Sequence, residues 1–214
     1  MTVELSHVAA RDIIVVGASA GGVKPLQALA AGLPADLSAS IFVVLHLPPW
    51  HKSELPHILS RSGPLPAIAA VNGETITPGV IYVAPPDYHL LVEDGKMELW
   101  HGPKENRNRP AINPLFRSAA TAYRERVIGV VLSGNLDDGS AGLWWVKKEG
   151  GIAIIQDPLR CEHPEMPRNA LDYVDVDYVL DAPAIGPMLT RLASGALPSA
   201  PAPDRRLSEW RRSD

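Results

Sequence analysis

Short runs of branched aliphatic residues alternate with longer segments of helical period along this chain. The runs at 12–17, 40–46, 127–133 and 151–156 are almost wholly apolar, which is typical of strands that are buried on both faces of a sheet. The segment at 23–33 has the apolar spacing of an amphipathic helix. This alternation predicts an α/β fold in which crossover helices join parallel strands. The same reasoning predicts further helices at about 114–124, 140–149 and 184–193, and further strands at 66–71, 79–85 and 177–181.

The middle of the chain has a different pattern. The segment 89–101 predicts a β-hairpin that turns at Asp94 and Gly95, so we expect part of the sheet to be antiparallel. Pro56 predicts that the helical segment 52–63 is interrupted, and the stretch through Met166 predicts a loop. The whole pattern predicts a doubly wound, three-layer αβα fold with a mostly parallel sheet and an antiparallel hairpin.

Length and composition favour one domain in an ordinary globular class. The 214 residues can bury a sizeable core, and we expect the domain to span 12–194. Residues 1–11 form a short N-terminal segment in this interpretation. The Pro/Ala/Arg/Ser bias of 195–214 predicts a disordered tail. A net charge of −4 offers no basic excess for phosphate backbones, so we do not expect nucleic acid as a partner.

The single cysteine and the lack of long apolar segments indicate the cellular compartment in which the protein is expected. Cys161 cannot form an internal disulfide, and no Cys/His spacing resembles a zinc site, so we expect no metal and a reducing cytoplasm. No apolar run approaches the roughly 20 residues that span a bilayer. The N-terminus also lacks a cationic start followed by an apolar segment. The sequence therefore predicts neither a signal peptide nor insertion into a membrane.

Polar side chains follow three of the predicted strands. Ser19 follows the first strand, His46 ends the second, and Asp137 and Asp138 follow the strand at 127–133 after a short turn. In open α/β sheets the carboxyl ends of parallel strands share one edge, where ligands and catalytic groups gather. A hydroxyl, an imidazole and a carboxylate at one edge are the parts of a serine hydrolase.

Each of these residues also has a simpler structural explanation. The stretch "GASAGG" at 17–22 contains G-x-S-x-G, but its small residues could equally let a helix approach a strand. His46 could bond to backbone at a strand end, and Asp137 or Asp138 could cap the following helix. The chain order Ser, His, Asp also differs from the Ser, Asp, His order of α/β-hydrolases. The joint placement of the three side-chain types at one edge of the sheet favours a catalytic role over three unrelated structural roles.

Six blocks in this order and spacing resemble the catalytic domain of CheB-type protein-glutamate methylesterases over about residues 12–193. The resemblance implies a triad of Ser19, His46 and Asp138, which favours Asp138 over Asp137. It also implies an oxyanion hole formed by the backbone N–H groups of Ala20 and Asn135. The blocks are "GASAGG" at 17–22, "LHLPP" at 45–49, "PGVIYVAPPDYHL" at 78–90, "NRNRPAINPLF" at 106–116, "VVLSGNLDDGSAGL" at 130–143 and "MPRNAL" at 166–171.

Two further residues of these blocks are candidates for contacts with substrate. Arg109 either binds a carboxylate or solvates a loop, and Met166 begins the last block. The chain departs from the family pattern at three places near the presumed groove. Ala20 replaces a frequent threonine, the turn "NLDD" replaces a Met-Gly turn, and Asn113 stands where aspartate is common.

The resemblance implies hydrolysis of glutamyl methyl esters on a chemoreceptor or similar signalling protein, with release of methanol and a related deamidation of glutamine. Neither reaction needs a metal or a cofactor. Only about a dozen residues precede the first strand, so a receiver domain is not expected and a regulator would act in trans. The alternatives are a catalytically weak module that binds a receptor or partner, and an esterase of small molecules.

Overall fold

Nine strands form the β structure of the part of the chain that the structure describes. The computed structural model describes residues 11–50 and 53–195, so the predictions for 1–10 and 196–214 lie outside the described residues. The strands are β1 (Ile13–Ala18), β2 (Ser40–Leu45), β3 (Ala67–Ala69), β4 (Ile81–Val83), β5 (His89–Glu93), β6 (Lys96–Trp100), β7 (Val127–Val131), β8 (Ile152–Gln156) and β9 (Tyr178–Leu180).

Seven of these strands form one parallel sheet in the order β3-β4-β2-β1-β7-β8-β9. The first strand β1 lies at the centre, with β2 on one side and β7 on the other. Ala18 at the end of β1 pairs with Leu45 at the end of β2, and Gly17 pairs with Val131 at the end of β7. The chain segments that leave these three strands therefore start side by side at one edge of the sheet.

Helices cover both faces of the sheet. In the described residues the α-helices are α1 (Val23–Ala31), α2 (Leu55–Ser62), α3 (Ile112–Tyr123), α4 (Ser140–Lys148), α5 (Glu165–Tyr173) and α6 (Ala182–Ala193). One apolar core cluster joins the sheet to α1, α2 and α6, and a second joins it to α3, α4, α5 and the β5–β6 hairpin. This is the predicted three-layer αβα arrangement. Within the described ranges, none of these helices has the length and apolar character to cross a membrane.

The antiparallel hairpin is confirmed, but it is a separate two-stranded sheet and not part of the main one. Strands β5 and β6 pair only with each other among the named strands, and every pairing within the seven-stranded sheet is parallel. Asp94 and Gly95 both have positive φ, as a type I′ turn requires. The hairpin packs on α3, where Ser118 Oγ accepts the N–H of Val92 at 3.1 Å.

Two local predictions were wrong, and both involve proline. Pro56 does not split a helix, because it lies in the first turn of α2, where its missing N–H is not needed. The predicted loop through Met166 ends before Glu165, where α5 begins, and this helix was not predicted. Pro167 is in the first turn of that helix, which tolerates it for the same reason.

Candidate active site

Ser19 lies on a tight turn directly after β1. Its backbone N–H donates to the carbonyl of Ser133 at 2.9 Å, and its own carbonyl accepts the N–H of Gly22 at 3.0 Å. Gly21 within this turn has φ of +68°, a conformation that glycine adopts without strain. The turn thus directs the serine side chain away from the strand, at the edge where β2 and β7 also end.

The glycines of this stretch have different functions. A Cβ atom on Gly17 would lie 2.4 Å from the side chain of Ile112, so the glycine permits the close approach of α3 to β1. Gly21 instead supplies the positive φ of the serine turn. The stretch therefore provides both a close contact between α3 and β1 and the turn that carries Ser19, through different glycines.

The structure brings Ser19, His46 and Asp138 together. The Nδ1 atom of His46 lies 3.0 Å from Ser19 Oγ, and its Nε2 atom lies 2.8 Å from Asp138 Oδ2. The His46 side chain is 10% exposed and that of Asp138 is 2% exposed, whereas Ser19 is half-buried. Only the serine end of this hydrogen-bonded chain is open to a large substrate.

The ring orientation of His46 defines which nitrogen can act as a base. A carboxylate only accepts hydrogen bonds, so Nε2 must carry the proton that faces Asp138. The lone pair of Nδ1 is then free to accept the hydroxyl proton of Ser19. This assignment is the reverse of the chymotrypsin-type triad, in which Nε2 faces the serine.

Asp138 is held by backbone donors as well as by the histidine. Its Oδ2 accepts the N–H of Ile112 at 2.7 Å, and its Oδ1 accepts those of Asn113 at 3.2 Å and Gly139 at 2.9 Å. Ile112 and Asn113 are the first residues of α3, so this carboxylate satisfies N–H groups that the helix itself cannot pair. The capping alternative is thus realised on α3, not on the helix that follows Asp138.

Two buried polar residues support this arrangement and were not predicted as site residues. The Oδ1 atom of Asn113 accepts the N–H groups of Gly139 at 3.1 Å and Gly142 at 2.7 Å, which ties α3 to α4. His89 is fully buried, and its Nδ1 accepts the N–H of Ala111 just before α3. His89 is the first residue of β5, and no pattern in the sequence indicates this buried role.

Asp137 has a different environment from Asp138. It is exposed, and its Oδ1 lies 3.3 Å from the Nδ2 atom of Asn106. The structure therefore brings only the second aspartate of the pair to His46.

The two predicted oxyanion donors lie next to the serine. Ala20 follows Ser19 in the turn, and Asn135 belongs to the turn after β7, whose Gly134 approaches Ser19 closely. Neither backbone N–H has a hydrogen-bond partner among the described residues. Two free donors beside a serine hydroxyl can bind the negative oxygen that develops when the hydroxyl attacks a carbonyl group.

Arg109 and Met166 are placed less directly for substrate. The guanidinium of Arg109 donates to Asp87 Oδ1 at 2.6 and 2.9 Å and to the carbonyl of Gly102 at 2.7 Å. These hydrogen bonds from Arg109 hold the pKa of Asp87 below its usual value. Met166 is fully buried and packs on Gly134 beneath the serine. Arg109 thus stabilises loops, and Met166 supports Ser19 from the interior.

A cleft of about 370 Å³ adjoins the histidine. One wall is the segment 46–50 after β2, which ends in the 80% exposed Trp50. The other wall includes Lys104 and Arg107, both exposed and without an ion-pair partner in the described part of the chain, and Arg109. The cleft is thus a positively charged groove beside the candidate nucleophile.

Burial makes Cys161 a poor competitor for nucleophilic chemistry. Its desolvation raises the pKa of the thiol to about 12, so the reactive thiolate is scarce at neutral pH. We expect iodoacetamide at pH 8 to leave the native protein unmodified for hours and to modify it within minutes in denaturant, as measured by intact mass. Rapid modification of the native protein would contradict this.

Among the described residues, no cluster of His, Cys, Asp or Glu could hold a metal ion.

Comparisons with known proteins match most of this chain. The family model described as CheB methylesterase matches residues 14–189. A relative in Leptospira interrogans is 38% identical over 182 residues, which cover 85% of this chain and 94% of its own. Protein-glutamate methylesterase/protein-glutamine glutaminase 2 of Caulobacter vibrioides is 38% identical over 187 residues, 85% of this chain but 54% of its own length. The crystal structure of the Thermotoga maritima CheB methylesterase catalytic domain superposes with a TM-score of 0.82 at 34% identity, covering 86% of this chain and all of that one.

Proposed function

The chain belongs to the CheB methylesterase family, and from this premise we propose that it hydrolyses methyl esters of glutamyl side chains in a chemoreceptor or similar signalling protein. The observation that carries the proposal is the hydrogen-bonded chain from Ser19 through His46 to Asp138. We also propose that the reaction takes place in the cytoplasm, where the methylated segment of such a receptor would be accessible.

In the first half of the reaction the enzyme becomes acylated. Nδ1 of His46 takes the hydroxyl proton of Ser19 while Oγ attacks the ester carbonyl carbon, which forms a tetrahedral oxyanion. The N–H groups of Ala20 and Asn135 donate to that oxyanion, and one such donor is worth about 3 kcal/mol in the transition state. The carbon–methoxy bond then breaks, and the proton on Nδ1 passes to the leaving oxygen. Methanol departs and the glutamyl group remains as an ester of Ser19.

The second half repeats these steps with water. His46 deprotonates a water molecule, whose oxygen attacks the acyl carbon and releases the free glutamate and the Ser19 hydroxyl. A glutamine side chain can follow the same route, with ammonia as the leaving group. Asp138 stabilises the imidazolium that exists in each transition state and keeps its ring oriented.

The proposal is tested by methanol release from a methylated receptor. The purified chain should release methanol in proportion to the glutamyl esters lost, and a serine-directed phosphonate should label Ser19 and stop the release. If no candidate receptor yields methanol while simple aryl esters are cleaved rapidly, the esterase chemistry stands but the protein substrate is wrong. If neither is cleaved and a receptor still binds, the chain is a binding module.

The charged groove predicts how a protein substrate is held. Lys104 and Arg107 face the cleft without carboxylate partners in the described structure, so acidic residues near the ester would pair with them. We expect Lys104→Gln combined with Arg107→Gln to raise KM for a methylated acidic peptide by about tenfold at low salt, with kcat largely kept. KM for a neutral aryl ester should stay the same.

The matched control for this pair is Lys96→Gln, which removes an exposed positive charge from the hairpin, outside the cleft. It should leave KM for the acidic peptide unchanged. An equal rise in KM for the neutral ester, or no loss of the salt dependence in the double variant, would contradict a substrate-binding role of the two cations.

A further inference from the structure

The turn formed by residues 133–136, called the oxyanion turn below, lies directly against the nucleophile. The carbonyl of Ser133 accepts the N–H of Ser19 at 2.9 Å. A Cβ atom on Gly134 would lie 2.7 Å from the Cβ of Ser19, so the turn contacts the serine with no space between them. Any shift of this turn would therefore move the N–H of Asn135 relative to the reacting carbon.

The last residue of the turn has a backbone conformation that requires support. Leu136 has φ of +65°, in the left-handed region that residues other than glycine rarely adopt. Its N–H donates to Oε2 of Glu165 at 2.8 Å, and its carbonyl accepts from Nδ2 of Asn169 at 2.7 Å. Glu165 and Asn169 are four residues apart on α5 and so lie on one face of that helix. One helix face thus holds both polar groups of Leu136.

The residue on the other side of Asn135 is also fixed. The N–H of Gly134 donates to the carbonyl of His163 at 2.9 Å, and its carbonyl accepts the N–H of Met166 at 3.0 Å. The side-chain Oδ1 of Asn135 lies 3.1 Å from Nδ1 of His163. Between these anchored neighbours the N–H of Asn135 has no partner in the described residues. The contacts immobilise the turn and leave that one donor free for a ligand.

We propose that Glu165 and Asn169 are positioning residues, which aim the N–H of Asn135 at the oxyanion by holding Leu136 in its left-handed conformation. This inference rests on the proposed acyl transfer at Ser19. Neither side chain touches the reacting atoms, and both act through Leu136. Glu165 is exposed and Asn169 is half-buried, so their hydrogen bonds contribute little to the stability of the whole fold. Their loss should therefore be seen in turnover and not in unfolding.

The sharpest variant is Asn169→Asp, which keeps the size of the side chain. A carboxylate cannot donate to the carbonyl of Leu136 and would repel it. Removal of one oxyanion donor costs about 10²- to 10³-fold in kcat, so a misdirected donor should cost about tenfold, with KM unchanged. Glu165→Ala should behave in the same way. Glu165→Gln should restore kcat to within about threefold of the native value, because its amide oxygen still accepts the N–H of Leu136.

Two matched controls separate this effect from a change of charge. Asn72→Asp makes the same substitution where Oδ1 only accepts, from the N–H of Leu99, a bond that a carboxylate keeps. Glu162→Ala removes a neighbouring carboxylate whose ion pair is a 3.8 Å contact with Lys24. Both should retain native kcat.

The readouts are kcat and KM on an aryl ester, methanol release from a methylated receptor, affinity for a trifluoromethyl ketone that forms a tetrahedral adduct on the serine, and Tm. Support for the inference is a parallel loss of kcat and ketone affinity at unchanged KM and Tm. Native kcat in both Asn169→Asp and Glu165→Ala would overturn it, as would failure of Glu165→Gln to restore activity. If native protein cleaves the aryl ester but releases no methanol, and the variants still lose kcat, then the proposed substrate fails while the positioning role holds.

Discussion

Ser19→Ala and His46→Ala should each lower kcat for ester hydrolysis by about 10⁵-fold, to a residual rate that the oxyanion donors alone sustain. The reason is the single short chain of contacts between them. The hydroxyl lies 3.0 Å from Nδ1 of the histidine, so without the base the serine stays protonated, and without the serine there is no acceptor for the acyl group. Rates of methanol release and of aryl ester cleavage measure the loss.

The combined variant should be no slower than either single variant, because the two residues act in one step and their losses do not add. Binding of a methylated peptide should remain close to native in Ser19→Ala, since the deletion of one oxygen leaves the groove intact. A multiplicative loss in the combined variant would contradict the shared step, and substantial activity in Ser19→Ala would identify another nucleophile.

The second large effect is expected for Asp138→Asn, with kcat lowered by about 10⁴-fold. Oδ1 and Oδ2 of Asp138 both face hydrogen-bond donors, so an amide NH₂ group must meet a donor in either orientation. If the NH₂ group faces His46, it donates to Nε2 and shifts the ring proton to Nδ1, which then cannot accept from Ser19. The measurement is kcat together with Tm, to show that the variant is folded.

Asp137→Asn is the matched control for this substitution. Asp137 is the adjacent residue, but it is exposed and its side chain bonds to Asn106 instead of His46. Its kcat should stay within about threefold of native, as is usual for exposed polar substitutions. Comparable losses in both variants would mean that the negative charge of the turn matters and not the contact with the imidazole.

The strand pattern was sufficient to place a serine, a histidine and one of two adjacent aspartates at one edge of the sheet, and the family resemblance favoured Asp138. Ser19, His46 and Asp138 each follow an apolar run, and parallel strands bring their carboxyl ends to one edge. The structure then distinguishes the two aspartates by contact alone. The positive φ of Asp94 and Gly95 likewise follows from a turn signal of two residues.

Features that depend on contacts between residues far apart in the sequence could not be predicted from these patterns. The N-terminal half of α5 has a proline and few apolar residues, and tertiary packing of Met166 and Ala170 overrides that weak local preference. The buried roles of His89 and Asn113 likewise depend on which backbone N–H groups lie opposite them. No periodicity encodes such partners, so these residues were not predicted as part of the site.

Asp138 is both the orienting carboxylate of His46 and the cap of α3, and this restricts how such a chain could lose activity during evolution. A lineage that retained only partner binding could replace Ser19 or His46 freely, since neither side chain caps a helix. Replacement of Asp138 would in addition leave buried N–H groups of Ile112 and Asn113 unpaired. Inactive descendants of this fold should therefore keep the aspartate after its catalytic use has ended. In a relative, an aspartate at this position is thus weaker evidence of activity than a serine and a histidine at the positions of Ser19 and His46.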